Sequence, residues 1–400
     1  MTRTMRARLG VMMFLHYFSM GALVPVFGHY LKNYLHFSPA AIGIIAATPA
    51  ACSFLAPFVA AQVADRWISS HRLLGLCHGA AGAVMLVLSQ VTSVKLFFAL
   101  YVLYALCYVP TSGLTNAVAL HHVTDPKKDF GPIRVWGTLG WFAVAWIFGY
   151  WWIRGGGGAP DSSRVPQALI VCGAGSWVLA LYCFTLPNAG VKVKDKGFAP
   201  WKALKLFARP PLLVLCVLTL FASVINRFYY DWMGPYLVQR GVDESHIMPL
   251  LSIGQIAEVG AMFALGWFTD RFGIKATMII GAAAHVFRYF VMAYSTSTPW
   301  LVAAVAAHGI CWTFYFITAY VYVDTRTPPE LRAAGQQFMG IIISGAGSLL
   351  GSLIGGQMAQ YCIAPGSTAI DFTRFWMMPA WVSLAVTAVL WGAFRDDARN

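Results

Sequence analysis

The chain has 400 residues, of which 58% are hydrophobic and 11% are charged. A soluble domain usually carries about 25% charged residues, so this composition excludes an ordinary soluble protein and indicates one that lies in lipid. The net charge of +13 does not indicate a nucleic-acid partner, because the Lys and Arg residues gather in short loops between apolar stretches, as in membrane proteins.

Apolar stretches long enough to cross a membrane as helices follow one another along the whole chain. They predict an all-α membrane protein with twelve transmembrane helices. The predicted spans are 9–32, 38–64, 73–92, 95–120, 131–153, 166–187, 210–239, 246–268, 276–295, 298–323, 333–362 and 372–394.

Basic residues are distributed unequally between the alternate loops. Nineteen Lys and Arg fall on the side that holds both termini, six fall on the other side, and three lie inside spans. Because cytoplasmic loops carry the excess of Lys and Arg, both termini are predicted to be cytoplasmic.

The first two spans contain a polar residue and two prolines. His16 in span one is interpreted as a packed polar side chain, with a proton carrier as the less favoured alternative. Pro49 and Pro57 in span two free main-chain carbonyls and are expected to bend that helix.

Span five begins with a cation, a hydroxyl and an aromatic ring on one helical face. These are Arg134, Thr138 and Trp141. The combination suits a flat, hydrogen-bonding ligand. It equally suits an interfacial arginine beside a tryptophan of the aromatic belt, so both interpretations stay open.

The longest polar stretch separates spans six and seven. Trp201, Leu204 and Phe207 within it face one way, which is typical of a helix lying on the inner membrane surface; a regulatory or lipid-binding segment is the alternative. The predicted parts are an N-terminal six-helix bundle (1–187), a cytoplasmic linker with an amphipathic helix (188–209) and a C-terminal six-helix bundle (210–400).

Ionisable residues inside later spans are hypotheses for function, because charge at that depth is costly. Arg227 and Asp231 in span seven can form a bridge along one face, which is either structural or part of a binding site. Glu258 in span eight shares a face with Gln255. Its carboxylate either couples protons or substrate to transport, or pairs with a cation such as Arg288 in the neighbouring span.

A loop motif occurs twice, 205 residues apart. Ala64-Asp65-Arg66-Trp67 follows span two, and the stretch 266–275 follows span eight with Asp270 and Arg271 at the matching positions. The second copy fits Gly-x-x-x-Asp-Arg-x-Gly-x-Lys and resembles the loop signature of the major facilitator superfamily. The resemblance implies that Asp65, Arg66, Asp270 and Arg271 help to latch a cytoplasmic gate, and the repeat is typical of transporter folds.

Glycines at a spacing of four occupy one face of span eleven. Gly347, Gly351 and Gly355 permit a neighbouring helix to approach closely, and Gly137 and Gly140 in span five suggest the same. Helix packing is the favoured interpretation for both sets, ahead of a direct binding role.

Four segments resemble the nucleoside:proton symporters of the same superfamily: 108–116, 132–138, 255–258 and 331–336. The string Pro-Ile-Arg-Val-Trp-Gly-Thr is the most specific of these. The resemblance implies that Arg134 and Thr138 contact a nucleoside and that Trp141 stacks on its base. It also implies that Gln255 and Glu258 contact the substrate, with Glu258 serving proton coupling.

Two departures from that family affect the prediction. Thr313, between Trp312 and Phe314, replaces the family's acidic residue, and span seven offers Asn226, Arg227 and Tyr230 where the family has amides. Proton coupling therefore rests on Glu258 alone, uses Asp231, or is absent.

The combined prediction is a secondary transporter that moves a nucleoside or similar polar metabolite by alternating access. We expect a monomer in the bacterial inner membrane, without a cofactor, a metal or catalytic residues, because no metal-spaced His/Cys/Glu set and no Gly-x-Ser-x-Gly motif occur. A proton-independent facilitator or exporter and a non-transporting receptor are the alternatives. The predicted substrate-binding residues are Arg134, Thr138, Trp141, Asn226, Arg227, Tyr230, Gln255, Glu258, Trp312 and Thr313, with Glu258 and Asp231 for proton coupling.

Overall fold

The computed structural model describes residues 1–123, 126–155, 161–188, 207, 210–328 and 331–394, and these are predominantly helical. The helices are numbered here in chain order. They are α1 (Arg3–Tyr34), α2 (Pro39–Cys52), α3 (Ala56–Arg66), α4 (Ser70–Leu88), α5 (Val94–His122), α6 (Pro126–Val144, continued by wider turns over Ala145–Trp152), α7 (Gln167–Cys183), α8 (Pro210–Gln239), α9 (Glu244–Tyr294), α10 (Thr298–Arg326), α11 (Ala334–Tyr361) and α12 (Phe372–Ala393).

Within the described ranges, nine helices are long and apolar enough to cross a membrane. The 51-residue α9 is counted once among them, although Gly273 divides it into two arms, 244–272 and 274–294. Gly273 has a φ of 82°, a left-handed conformation that a residue with a side chain rarely adopts. Every predicted span coincides with helical residues, and the number twelve stays a prediction.

Prolines divide two of the predicted spans. Span two is interrupted by a turn at residues 53–55, between Pro49 in α2 and Pro57 at the start of α3, as expected. Pro25 in span one has the same effect, and α1 turns at residues 24–26 around it. Because proline lacks an N–H and crowds the preceding turn, the helix ladder cannot continue unbroken there.

Two compact units emerge from the contacts between described residues. The first contains those of Met1–Lys196 together with Trp232–Pro249, and the second contains those of Gly197–Asp231 together with Leu250–Asn400. Both α8 and α9 therefore contribute to both units. The predicted division into 1–187, 188–209 and 210–400 stays a prediction.

In the first unit, α1 lies against α6 and α7, and α4 lies against α5 and α7. Gly140 permits the contact of α6 with α1, because a Cβ at this position would overlap the main-chain oxygen of Phe14. The glycine acts in helix packing, as predicted for span five.

The segment Trp232–Pro249 joins the first unit through a polar contact. The Glu244 carboxylate lies 2.6 Å from Nε2 of the buried His29 and accepts a 2.7 Å hydrogen bond from the Tyr34 hydroxyl. Gly234 faces Pro25, and Gly149 faces Met248. The contact thus fixes the start of α9 against the end of α1.

The second unit shows close packing of α11 on α8. A Cβ at Gly351 would lie 2.6 Å from Cβ of Arg227, and one at Gly347 would overlap Ser223. These two glycines therefore belong to a helix-packing face, as predicted.

Phe207 corrects part of the linker prediction. It was expected to face the membrane surface, but its side chain is buried in the core of the second unit, with its ring 4.5 Å from that of Phe338. Aromatic packing within the protein buries the ring on all sides, which a lipid surface cannot. Trp201 and Leu204 lie outside the described residues.

The repeated loop motif is described in part. Asp270, Arg271 and Arg66 are exposed, whereas the side chain of Asp65 lies outside the described residues. The second glycine of the second copy is Gly273, which allows the turn between the arms of α9. The lysine, Lys275, donates from Nζ to the main-chain oxygen of Trp391 at 2.7 Å, which satisfies a carbonyl near the end of α12. The gate role of the Asp-Arg pairs stays a prediction.

Candidate substrate and proton site

In the first unit, a cation on α6 lies above an aromatic ring on α1. The Arg134 guanidinium lies 4.1 Å from the centre of the Tyr17 ring of α1. Gly137 leaves room for this pair, since a Cβ there would collide with both side chains. Arg134, Thr138 and Trp141 are all half-buried, and Trp141 packs against Gly21. The predicted residues of span five are thus held along one helix, with Arg134 oriented by an aromatic face.

A buried polar cluster lies in the same unit. His16 Nδ1 is 3.1 Å from His78 Nε2, and His16 Nε2 is 3.4 Å from the Ser112 hydroxyl. The Tyr108 ring stacks on His16 at 5.9 Å between centres. Among the described residues, neither His78 Nδ1 nor the Tyr108 hydroxyl has a hydrogen-bond partner. His78 was not among the predicted site residues, although a histidine within an apolar span indicates a functional candidate.

In the second unit, Glu258 lies where the first arm of α9 crosses α10. Gln255 and Glu258 are both half-buried, and a Cβ on Gly309 would overlap the main chain at Glu258. The buried Thr313 hydroxyl donates to the Glu258 main-chain oxygen at 3.4 Å. Thr313 therefore supports the Glu258 backbone, and it lies in a segment of wider helical turns, Cys311–Ile317, of the kind often found at functional sites.

Arg227 and Asp231 on α8 form an ion pair, and a third residue hydrogen-bonds to both. Arg227 Nη2 lies 2.8 Å from Asp231 Oδ1, and Arg227 Nε donates to Asp231 Oδ2 at 3.2 Å. The Ser352 hydroxyl of α11 donates to Asp231 Oδ2 at 2.6 Å and accepts from Arg227 Nε at 3.0 Å. The predicted bridge exists, and Ser352, 121 residues away from Asp231, is a partner that helical spacing could not show.

The sequence left open an ion pair between Arg288 and Glu258. In the structure, Arg288 has other partners. It is fully buried and contacts Asn226, Tyr289 and His308 through its terminal nitrogens. His308 in turn lies 3.1 Å from the Tyr230 hydroxyl. The structure thus joins two predicted site residues, Asn226 and Tyr230, through an arginine and a histidine that were not assigned to the site.

Trp312 lies at the edge of the second unit's core. It is half-buried, and its ring centre is 5.1 Å from that of Phe316. Thus Arg134, Thr138 and Trp141 belong to the first unit, and the other predicted site residues belong to the second. Their roles in binding stay predictions. In the described part of the chain, no three His, Cys, Asp or Glu residues are grouped as a metal site.

Solved structures of transporters share this fold. The crystal structure of the nucleoside transporter NupG is 22% identical and covers 98% of this chain and 100% of its own, with a TM-score of 0.87. That of a D-xylose-proton symporter is 12% identical over 98% of both chains, with a TM-score of 0.72. The membrane-length helices and these likenesses define an integral membrane protein of the major facilitator fold.

Sequence comparison narrows this class to a family. The family described as Nucleoside H+ symporter matches residues 2–399. YegT of Escherichia coli (strain K12) is 31% identical, over 98% of this chain and 94% of its own. The xanthosine permease of the same organism is 26% identical, over 97% and 95%. The chain belongs to the nucleoside H+ symporter family.

Proposed function

We propose that this protein imports a nucleoside by alternating access, driven by protons that bind Glu258. Family membership over residues 2–399 supports a nucleoside as the solute and a proton as the coupled ion. The observation that carries the assignment to this residue is a half-buried carboxylate, Glu258, within a membrane-length helix beside Gln255. An ionisable side chain within a membrane-spanning helix is costly and therefore a candidate for function. Binding or release of a proton by Glu258 would change the charge beside the solute.

Two other candidates for proton coupling are less suitable. Thr313 carries no ionisable group, and its hydroxyl is bound to the main chain of α9. Both oxygens of Asp231 are engaged by Arg227 and Ser352, which commits this carboxylate to a structural bridge. We therefore assign proton exchange to Glu258, the carboxylate to which the resemblance to the family gives this role.

Arg134, Thr138 and Trp141 would bind the solute. The planar guanidinium and the hydroxyl can hydrogen-bond to carbonyl and hydroxyl groups of a nucleoside, and the indole can stack on the base. Gln255 would also hydrogen-bond to the solute. We place the carrier in the bacterial inner membrane as a monomer with both termini in the cytoplasm, following the resemblance and the distribution of basic residues.

Uptake into proteoliposomes tests this proposal. Labelled uridine should enter faster when an inward proton gradient is imposed, and Glu258→Gln should lower uptake to the rate without a gradient, because the amide cannot exchange a proton. Asp371→Asn is the matched control: Asp371 caps the exposed start of α12, and asparagine caps a helix equally well.

Each other outcome rejects part of the proposal. Uridine uptake that ignores the gradient in the unsubstituted protein would show a proton-independent facilitator, the alternative that Thr313 favours. No flux of uridine or any other tested nucleoside would favour a receptor.

A further inference from the structure

One segment of the later helices packs with the first unit. Residues 232–249, here called the strap, contain the end of α8 and the start of α9. Both helices continue into the second unit. A change in the arrangement of the two units therefore has to release the strap from the first unit or bend both helices where they pass from one unit to the other.

The strap is held to α1 by a buried polar contact. His29 has no exposed surface, and its Nε2 lies 2.6 Å from Glu244 Oε1. A carboxylate only accepts hydrogen bonds, so Nε2 carries a proton and donates. The Tyr34 hydroxyl donates to the other carboxylate oxygen at 2.7 Å. Both oxygens of Glu244 are thus engaged by residues of α1.

The position of this contact in the chain assigns it to one side of the membrane. Tyr34 follows the first predicted span, and Glu244 precedes the eighth. With both termini predicted to be cytoplasmic, both residues are predicted to lie on the non-cytoplasmic side. The contact therefore lies at the end from which an importer takes up its solute.

The surfaces that meet around the contact are suited to repeated separation. Helix α1 turns at residues 24–26 and continues with wider turns over Tyr30–Tyr34, and such turns are frequent at functional sites. Gly234 of the strap faces the main chain of Pro25, and Gly149, in the wider turns of α6, faces Met248 of the strap. A glycine has no side chain that interlocks with a neighbour, so these surfaces can part without rearrangement.

The contact is also incompletely satisfied. Among the described residues, His29 Nδ1 is buried and has no hydrogen-bond partner. Most buried polar atoms in proteins have a partner, and one without a partner costs free energy. The bond from His29 to Glu244 is therefore offset in part by the cost at Nδ1, which makes the contact easier to break.

We propose that His29 and Glu244 form a latch that closes the non-cytoplasmic end of the carrier and breaks once in each transport cycle, when the strap leaves the first unit. Tyr34 supports the closed form through the second carboxylate oxygen. A single partner would leave an uncompensated polar group in a buried site, so the contact has two discrete forms, closed and open. The role in transport rests on the proposed function, whereas the latch itself is a property of the folded chain.

Distances between two spin labels measure the opening of the latch without any solute. The labels are attached at Thr92 of the first unit and Ser297 of the second, exposed residues in loops predicted to be non-cytoplasmic. A ketone-bearing amino acid carries each label, because the chain has eight cysteines. Pulsed electron paramagnetic resonance then resolves closed and open molecules as shorter and longer distances.

Removal of the carboxylate should favour the open form. We expect Glu244→Ala to raise the ratio of long to short distances about tenfold, because two hydrogen bonds to a charged group are lost. Asp243→Ala is the matched control, since this neighbouring carboxylate contacts Ser245 and His246 of the strap itself. Equal ratios in Glu244→Ala and the unsubstituted protein would overturn the proposal.

A metal bridge should restore the closed form. In Glu244→His the new imidazole faces His29, and two facing imidazoles can bind Zn²⁺. Zinc at about 100 times its dissociation constant should raise the thermal unfolding midpoint of this variant and lower its ratio of long to short distances about a hundredfold. A chelator should reverse both changes. In the control Asp243→His, zinc can pair the new imidazole only with His246 of the strap, so the ratio should not change.

Two zinc results would contradict the latch. Zinc that does not bind Glu244→His would show that residue 244 does not face His29, and long distances that persist with zinc bound would show that the contact does not close this end. In proteoliposomes, zinc should stop uridine uptake by Glu244→His and leave uptake by Asp243→His unchanged. No uridine uptake by the unsubstituted protein would reject the proposed function, while the label distances would still decide the latch.

Discussion

Single residues in this protein derive their chemistry from partners far away in sequence. Arg134 illustrates the point, because the sequence allowed either a ligand-binding arginine or an interfacial one. The structure places its guanidinium on the Tyr17 ring, 117 residues earlier, and leaves it half-buried. An aromatic platform orients the planar donors, which favours recognition over simple snorkelling.

A conservative substitution at Arg134 tests this interpretation. Arg134→Lys keeps the positive charge but loses the planar fork and the stacking on Tyr17. We expect the KM for uridine uptake to rise about tenfold, which corresponds to about 1.4 kcal/mol. Initial rates in proteoliposomes measure it, with Arg374→Lys, an exposed residue at the start of α12, as the control. An unchanged KM would support the interfacial alternative.

Among the helices, the glycine face of α11 determines how closely two of them pack. Gly347 lies against Ser223 of α8, and Gly351 lies one turn later against Arg227. The close approach brings Ser352 within reach of both members of the Arg227–Asp231 ion pair. Packing by small residues thus builds part of the polar network, so the two features are coupled.

Enlarging one glycine should weaken this contact. In Gly351→Ala the new methyl group would lie 2.6 Å from both Arg227 Cβ and the Val224 main-chain oxygen, so the helices must move apart. We expect a loss of about 1–3 kcal/mol in stability, seen as a lower thermal unfolding midpoint in detergent. Gly392→Ala in α12, where the added Cβ meets no neighbour, should leave the midpoint unchanged. Equal midpoints for the two variants would contradict the packing argument.

For the whole molecule, the orientation in the membrane follows from the distribution of basic residues. Nineteen Lys and Arg lie in the loops predicted to be cytoplasmic and six in the others. Positive charge resists translocation, so we propose that the side with more basic residues, which holds both termini, is the cytoplasmic one.

Reporter fusions test this orientation. Green fluorescent protein fused after Asn400 should fluoresce, and alkaline phosphatase at the same position should be inactive. Phosphatase fused to a chain ending at Gly241, in the loop between α8 and α9, should be active. The reverse pattern would invert the proposed topology.

The sequence by itself determined the helical membrane class, the family, and the positions of most helices. Lipid offers no hydrogen bonds to the main chain, so each span must be an apolar helix of about 20 residues. Such a helix can be recognised from its own segment of sequence, without knowledge of its neighbours. It also singled out Glu258, Arg227, Asp231 and Arg288, because a charge within an apolar span is conspicuous.

Only the tertiary structure decided the partners of those charges. Ser352 hydrogen-bonds to Asp231, and His308 lies between Arg288 and Tyr230 in contact with both. Glu244 contacts His29, which is 215 residues away in sequence. Such contacts depend on which helix faces meet and how closely, and no local period in the sequence encodes that choice. Phe207 shows the same limit, since an apolar helix face predicts burial but not whether lipid or protein covers it.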